Sequence, residues 1–110
     1  MPRDYRIYLQ DILEAVAKIR QYTEGLSLET ISDPKTLDAV IRNLEIIGEA
    51  SKMLPADVRS QDQDVDWKKI AGLRDILIHH YFGVDLEIIA DIVRNKLPIL
   101  EKRVLELLQH

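Results

Sequence analysis

Arg74, Asp75, His79, His80 and Tyr81 fall within eight consecutive positions, inside the stretch Trp67 to Asp85. That stretch also holds the only Trp, the only Phe and two of the three His of the chain. Arg74 offers a planar, permanently charged fork suited to phosphate. His79 offers an imidazole, which titrates near neutrality and can give or take a proton. Asp75, four residues before His79, stands at the spacing from which a helical carboxylate can orient that ring. An arginine that holds phosphate and a histidine that moves protons form a minimal set for phosphodiester chemistry. The plainer reading of the same residues is a structural Arg–Asp pair beside a solvated histidine.

Helix geometry refines the roles. Arg74 and Tyr81 are seven apart, nearly two full turns, so an ideal helix places them on one side. His79 is five residues from Arg74, about 140° around. His80 lies nearer the apolar stripe Ile70–Leu73–Leu77, which makes it the inward histidine, a core-edge imidazole bonded to a neighbour. Polar groups interrupting an apolar run are costly to bury without partners, and such local conflict marks a functional site.

Helices must position these groups. Four Gly, four Pro and much Leu, Ile, Glu, Lys and Arg point to an all-α domain. A first helix is expected from about Asp4 to Glu24, where Leu9, Ile12, Leu13, Val16 and Ile19 form one stripe and Gly25 stops it. A second opens with Asp33 as cap and Pro34 in its first turn. Leu37, Val40, Ile41, Leu44, Ile47, Gly48, Ser51 and Leu54 make one face, and Ala39, Ile46, Ala50 and Met53 another. A helix apolar on two sides packs on two sides, as a central helix or at a subunit interface. Pro55 ends it, and Pro55 to Val65 reads as a loop with room for one helical turn. The third helix is expected from a cap at Asp66 to about Tyr81, broken at Gly83. Asp85 then caps a fourth, with Leu86, Ile89, Val93, Leu97, Leu100, Val104 and Leu107 as its buried stripe. Pro98 interrupts that pattern and predicts a kink or a split into two helices. Together they describe an up-and-down bundle of four to five helices.

The chain as a whole narrows the classes. Its 110 residues suit one domain, 1–110, large enough to bury a core without staples. With no cysteine, disulfides and thiolate metal sites are excluded. No apolar run approaches the roughly 20 residues of a membrane span, and MPRDYRIYLQ lacks a signal-peptide core, so a soluble cytoplasmic protein is expected. Fifteen basic against nineteen acidic residues argue against holding nucleic acid by bulk charge. Brief contact at one local site stays open. Asp75 and His79 lack the further ligands a metal needs, so neither metal nor cofactor is expected. Glu45 and Glu49, one turn apart, read most simply as a solvated face beside Arg42 and Lys52. Trp67 reads as a core or interface anchor. Lys68 and Lys69 suit an RNA backbone or plain solubility.

Arg74-x4-His79-x-Tyr81 resembles the R-x4-6-H motif of the HEPN superfamily, in the R-x4-H-x-Y form of its HepT-like branch. Asp75 fits the polar residue that follows the motif arginine. The flanks Trp67-Lys68-Lys69-Ile70-Ala71-Gly72-Leu73 and Phe82-Gly83-Val84-Asp85 agree, as does the upstream block Asn43-Leu44-Glu45-Ile46-Ile47-Gly48-Glu49-Ala50. The resemblance implies a metal-independent ribonuclease, the toxin of a two-gene toxin–antitoxin system of type II or VII character. It implies a HEPN-like homodimer whose motif residues line an interface cleft, with Arg74 and His79 catalytic. It also implies a partner, a minimal nucleotidyltransferase antitoxin of the MNT type, that transfers AMP from ATP onto Tyr81. A homodimer would let groups on different sides of one helix converge. The alternative is a non-catalytic helical binding partner of such a nucleotidyltransferase, and beyond it a structural dimer whose polar residues fix the interface.

Overall fold

The computed structural model describes residues 4–27, 32–60, 65–73, 77 and 86–109. Among them every regular element is helical: α1 (Tyr5–Thr23), α2 (Pro34–Lys52), α3 (Ala56–Ser60), α4 (Trp67–Ala71), α5 (Leu86–Asp91), a π-helical segment (Ile92–Lys96) and α6 (Leu97–Leu108). The all-α expectation holds.

Side-chain chemistry fixes the ends of the long helices. The Asp4 carboxylate accepts from the Arg6 amide at 3.0 Å and opens α1. Gly25 closes it at φ +74°, the left-handed conformation that an L side chain adopts only with strain. Asp33 accepts from the Thr36 amide at 3.3 Å, with Pro34 in the first turn of α2. The segment after Pro55 forms the single expected turn, α3, with the Pro55 carbonyl accepting from the Val58 and Arg59 amides.

α1 packs on α2 and on α6, and α2 packs in turn on α4. Leu9, Ile12, Val16 and Ile19 of α1 meet Val40, Leu44 and Ile47 of α2 and Leu97, Leu100 and Val104 of α6, each almost wholly buried. Each such side chain contributes about 1.5–3 kcal/mol of transfer free energy. Leu13, Leu37 and Ile41 are only partly buried at the margin of this core. On the second face of α2, Ala50 is buried and Ile46 partly so, while Met53 is exposed. Two buried polar side chains are satisfied within their own helix: Ser51 Oγ donates to the Ile47 carbonyl at 2.7 Å, and Asn43 Nδ2 to that of Ala39 at 2.9 Å. A bidentate ion pair joins α1 and α6, Arg20 Nη1 and Nη2 each donating to a Glu101 carboxylate oxygen at 2.9 Å.

Pro98 perturbs its helix as expected, and the division takes the form of a π turn between two α-helices. It has no amide to donate to the Arg94 carbonyl and would clash with it. The chain responds upstream by closing a wider turn, in which the Leu97 amide donates to the Ile92 carbonyl. Ile89 and Leu97 are eight residues apart, so a pure α-helix would set them about 80° out of line. A turn closed i to i+5 holds roughly one residue more and takes back close to 100°. Ile89 and Leu97 thereby face one core, 1% and 2% exposed.

Candidate active site

Arg74, Asp75, His79, His80 and Tyr81 lie outside the described residues, as do the expected break at Gly83 and the expected cap at Asp85. The structure describes the frame that carries them.

That frame begins at Asp66, whose side chain accepts from the Lys69 amide at 3.1 Å and starts α4 as expected. Trp67 follows directly and is buried in the core. Its indole Nε1 has no hydrogen-bond partner among the described residues, and the ring serves as an apolar anchor. The guanidinium Nε of Arg59 is buried and unpartnered in the same sense. Lys68 and Lys69 are exposed.

The expected stripe is present: Leu73 and Leu77 are buried and Ile70 is partly buried against the core. Two leucines four residues apart lie on one helical face, and their burial sets that face inward on either side of Arg74. One difference from expectation is local. α4 ends at Ala71, and Gly72 caps it by donating its amide to the Lys68 carbonyl at 3.1 Å, before helical conformation returns at Leu73. Gly72 holds an ordinary negative φ of −78°, so the turn lies just ahead of the motif. No glycine signature betrays it in the sequence, because a left-handed φ is not used.

The upstream block contributes a largely buried surface. Asn43, Leu44, Ile47, Gly48 and Ala50 are buried. Glu49 is exposed, and Glu45 is half-buried with a carboxylate oxygen 3.9 Å from Arg42 Nη1. Among the described residues no group of three or more His, Asp or Glu is placed to hold a metal ion.

The comparison with known proteins decides the family. Residues 12–107 match the family of HepT-like ribonucleases, a span that contains Asn43 to Ala50, the frame and the motif. The chain belongs to that family. A candidate RNase of Methanocaldococcus jannaschii is 49% identical over 111 residues, covering 99% of this chain and 92% of its own. Another, of Caldanaerobacter subterraneus subsp. tengcongensis, is 46% identical over 105 residues and 94% of each chain. A protein of Thermococcus cleftensis named as a probable ribonuclease HepT is 43% identical over 102 residues, 92% of this chain and 93% of its own. No solved structure matches the chain significantly. Among the described residues no helix is long and apolar enough to cross a membrane.

Proposed function

We propose that this HepT-like protein is a metal-independent endoribonuclease, the toxin of a toxin–antitoxin pair. The observation that carries the reading is the family match across residues 12–107, with relatives aligned over nine-tenths of both chains. Inside that match stand the residue types the reaction needs, in R-x4-H-x-Y order, on a frame anchored by Trp67, Leu73 and Leu77.

Arg74 binds the scissile phosphate and neutralises charge as it builds on the phosphoryl oxygens. The RNA 2′-hydroxyl attacks phosphorus, so the O2′–P bond forms, the P–O5′ bond breaks and a 2′,3′-cyclic phosphate results. His79 moves the proton, as the base that takes it from O2′ or the acid that supplies it to the departing O5′. Asp75 orients the imidazole. An ideal helix would set Arg74 and His79 about 140° apart, which supports a homodimer in which two motif segments meet and each lends one group to a shared cleft. Tyr81, on the Arg74 side, lines that cleft. A nucleotidyltransferase antitoxin of the MNT type transfers AMP from ATP to its phenol oxygen, displacing pyrophosphate. The added phosphate then occupies the place of the substrate's.

Purified protein incubated with RNA and EDTA should still cleave, leaving cyclic phosphate ends. Arg74→Ala and His79→Ala should each abolish cleavage with the helical circular-dichroism spectrum intact, and His80→Ala should instead lower stability by about 1–3 kcal/mol. Incubation with ATP, magnesium and the cognate nucleotidyltransferase should add AMP to the intact mass, and Tyr81→Phe should prevent it. Cleavage abolished by EDTA, or retained in His79→Ala, would overturn the mechanism. The excess of acidic residues, nineteen against fifteen basic, favours a second reading as a non-catalytic binding partner of the nucleotidyltransferase. A tight complex without any RNA cleavage would establish it.

A further inference from the structure

α1 and α2 leave between them a groove of about 250 Å3. Its apolar wall is made by Tyr8, Ile46 and Met53, the last 52% exposed. Its rim carries three carboxylates, Asp11, Glu45 and Glu49, with Arg42 beside Glu45. Such a rim repels phosphate, so the groove does not suit an RNA strand. An apolar wall inside an acidic rim suits a basic helix with apolar residues on one face.

A face of this kind lies on α6, whose own charges balance, Lys102 and Arg103 against Glu101 and Glu106. On α6, Ile99 and Leu105 are 47% and 46% exposed and bracket Lys102, three residues from each, on the face turned away from the core. Arg94 and Lys96 are exposed one turn upstream. The neighbouring carboxylates are engaged elsewhere, Glu101 with Arg20 and Glu106 with Arg103. The two surfaces cannot meet within one molecule. Tyr8 and Asp11 lie roughly 120° and 180° around α1 from Arg20, the residue that ties α1 to α6.

We propose that the α1–α2 groove receives the outer face of α6 from a second copy of this chain. Ile99 and Leu105 pack on Tyr8, Ile46 and Met53, and Lys102 and Arg94 meet the acidic rim. Groove against groove would set carboxylates on carboxylates, which disfavours a symmetric contact there. Groove against helix is head-to-tail, and such a contact propagates into rings or open chains. It uses surfaces other than the motif helix, so it adds to the proposed motif-centred dimer and stands or falls separately from it.

Sedimentation velocity on the full-length protein tests the contact. At about 50 mM salt the weight-average mass should climb past that of a dimer as concentration rises, and at about 500 mM it should fall back. Lys102→Glu and Asp11→Lys should each remove the larger species, and the double variant should restore them. Met53→Asp should also remove them, with an unchanged circular-dichroism spectrum. A mass that never exceeds a dimer at low salt, or single charge reversals without effect, would overturn the proposal. So would a Lys102→Glu variant that loses RNA binding while assembling normally, because the face would then serve RNA.

Discussion

Gly25 and Gly72 look alike in sequence and differ in what holds them. At Gly25 the space around an added Cβ is open but φ is +74°. Gly25→Ala should therefore destabilise by about 1–2 kcal/mol through backbone strain alone. At Gly72 φ is negative, and an added Cβ would meet only the Lys68 and Lys69 carbonyls at 3.4 and 3.5 Å, ordinary contact distances. Gly72→Ala should instead stabilise by about 0.4–1 kcal/mol, by restricting the unfolded chain. Urea denaturation of the two variants separates these outcomes. A Gly72→Ala protein that is more stable yet cleaves RNA poorly would show that the turn before the motif must yield during turnover. Arg20 gives a different kind of expectation. Hydrogen bonding to Glu101, then the charge of that residue, holds its guanidinium above its ordinary pKa. A raised base stabilises the fold below its unfolded pKa and loses that contribution only as pH climbs past the folded value. For a guanidinium that window lies beyond ordinary alkaline conditions. A double-mutant cycle on Arg20 and Glu101 should thus return about 0.2–1 kcal/mol, small because the arginine is half exposed, and fall with salt. The guanidinium's side of that coupling should not titrate between about pH 6 and 9.

Elements were legible where a residue has only one local use. Asp4, Gly25, Asp33 and Pro34 mark the ends of α1 and α2 because capping and φ restriction act within a few residues. Gly72 was not legible as a break, since a glycine at ordinary φ between apolar residues reads as helix interior. Pro98 was legible as a disturbance, but its form was not. The π turn depends on which residues of α5 and α6 must share one core, and that is a property of three packed helices. The residue types of the motif were legible in their order, whereas a way to bring Arg74 and His79 together was not, because an ideal helix sets them about 140° apart. The π turn yields a test at this scale. Deleting Asn95, exposed within it, should turn the segment into regular α-helix with Leu97 still facing inward. Pro98 would then sit in a helix interior at a cost of about 3 kcal/mol. Deletion combined with Pro98→Ala should recover much of that loss in thermal denaturation. Deleting Lys102 instead should not be rescued, because it swings Val104 and Leu107 out of the core by about 100°.

In the whole molecule α1 touches both α2 and α6, so its buried stripe is complete only when both are present. A chain ending at Lys96 leaves Leu9, Ile12 and Val16 without Leu100 and Val104. It should show no cooperative thermal transition, as followed by calorimetry or by circular dichroism at rising temperature. The Arg20–Glu101 pair, 81 residues apart in sequence, also sets an order of events during synthesis. While a ribosome is still adding α6, Arg74 and His79 have already been made, but α1 has only α2 to close against. The nascent chain therefore carries Arg74 and His79 before it carries its complete bundle. If the proposed toxicity is right, it awaits the arrival of α6, and the interval before then is open to a partner that recognises the unfinished bundle.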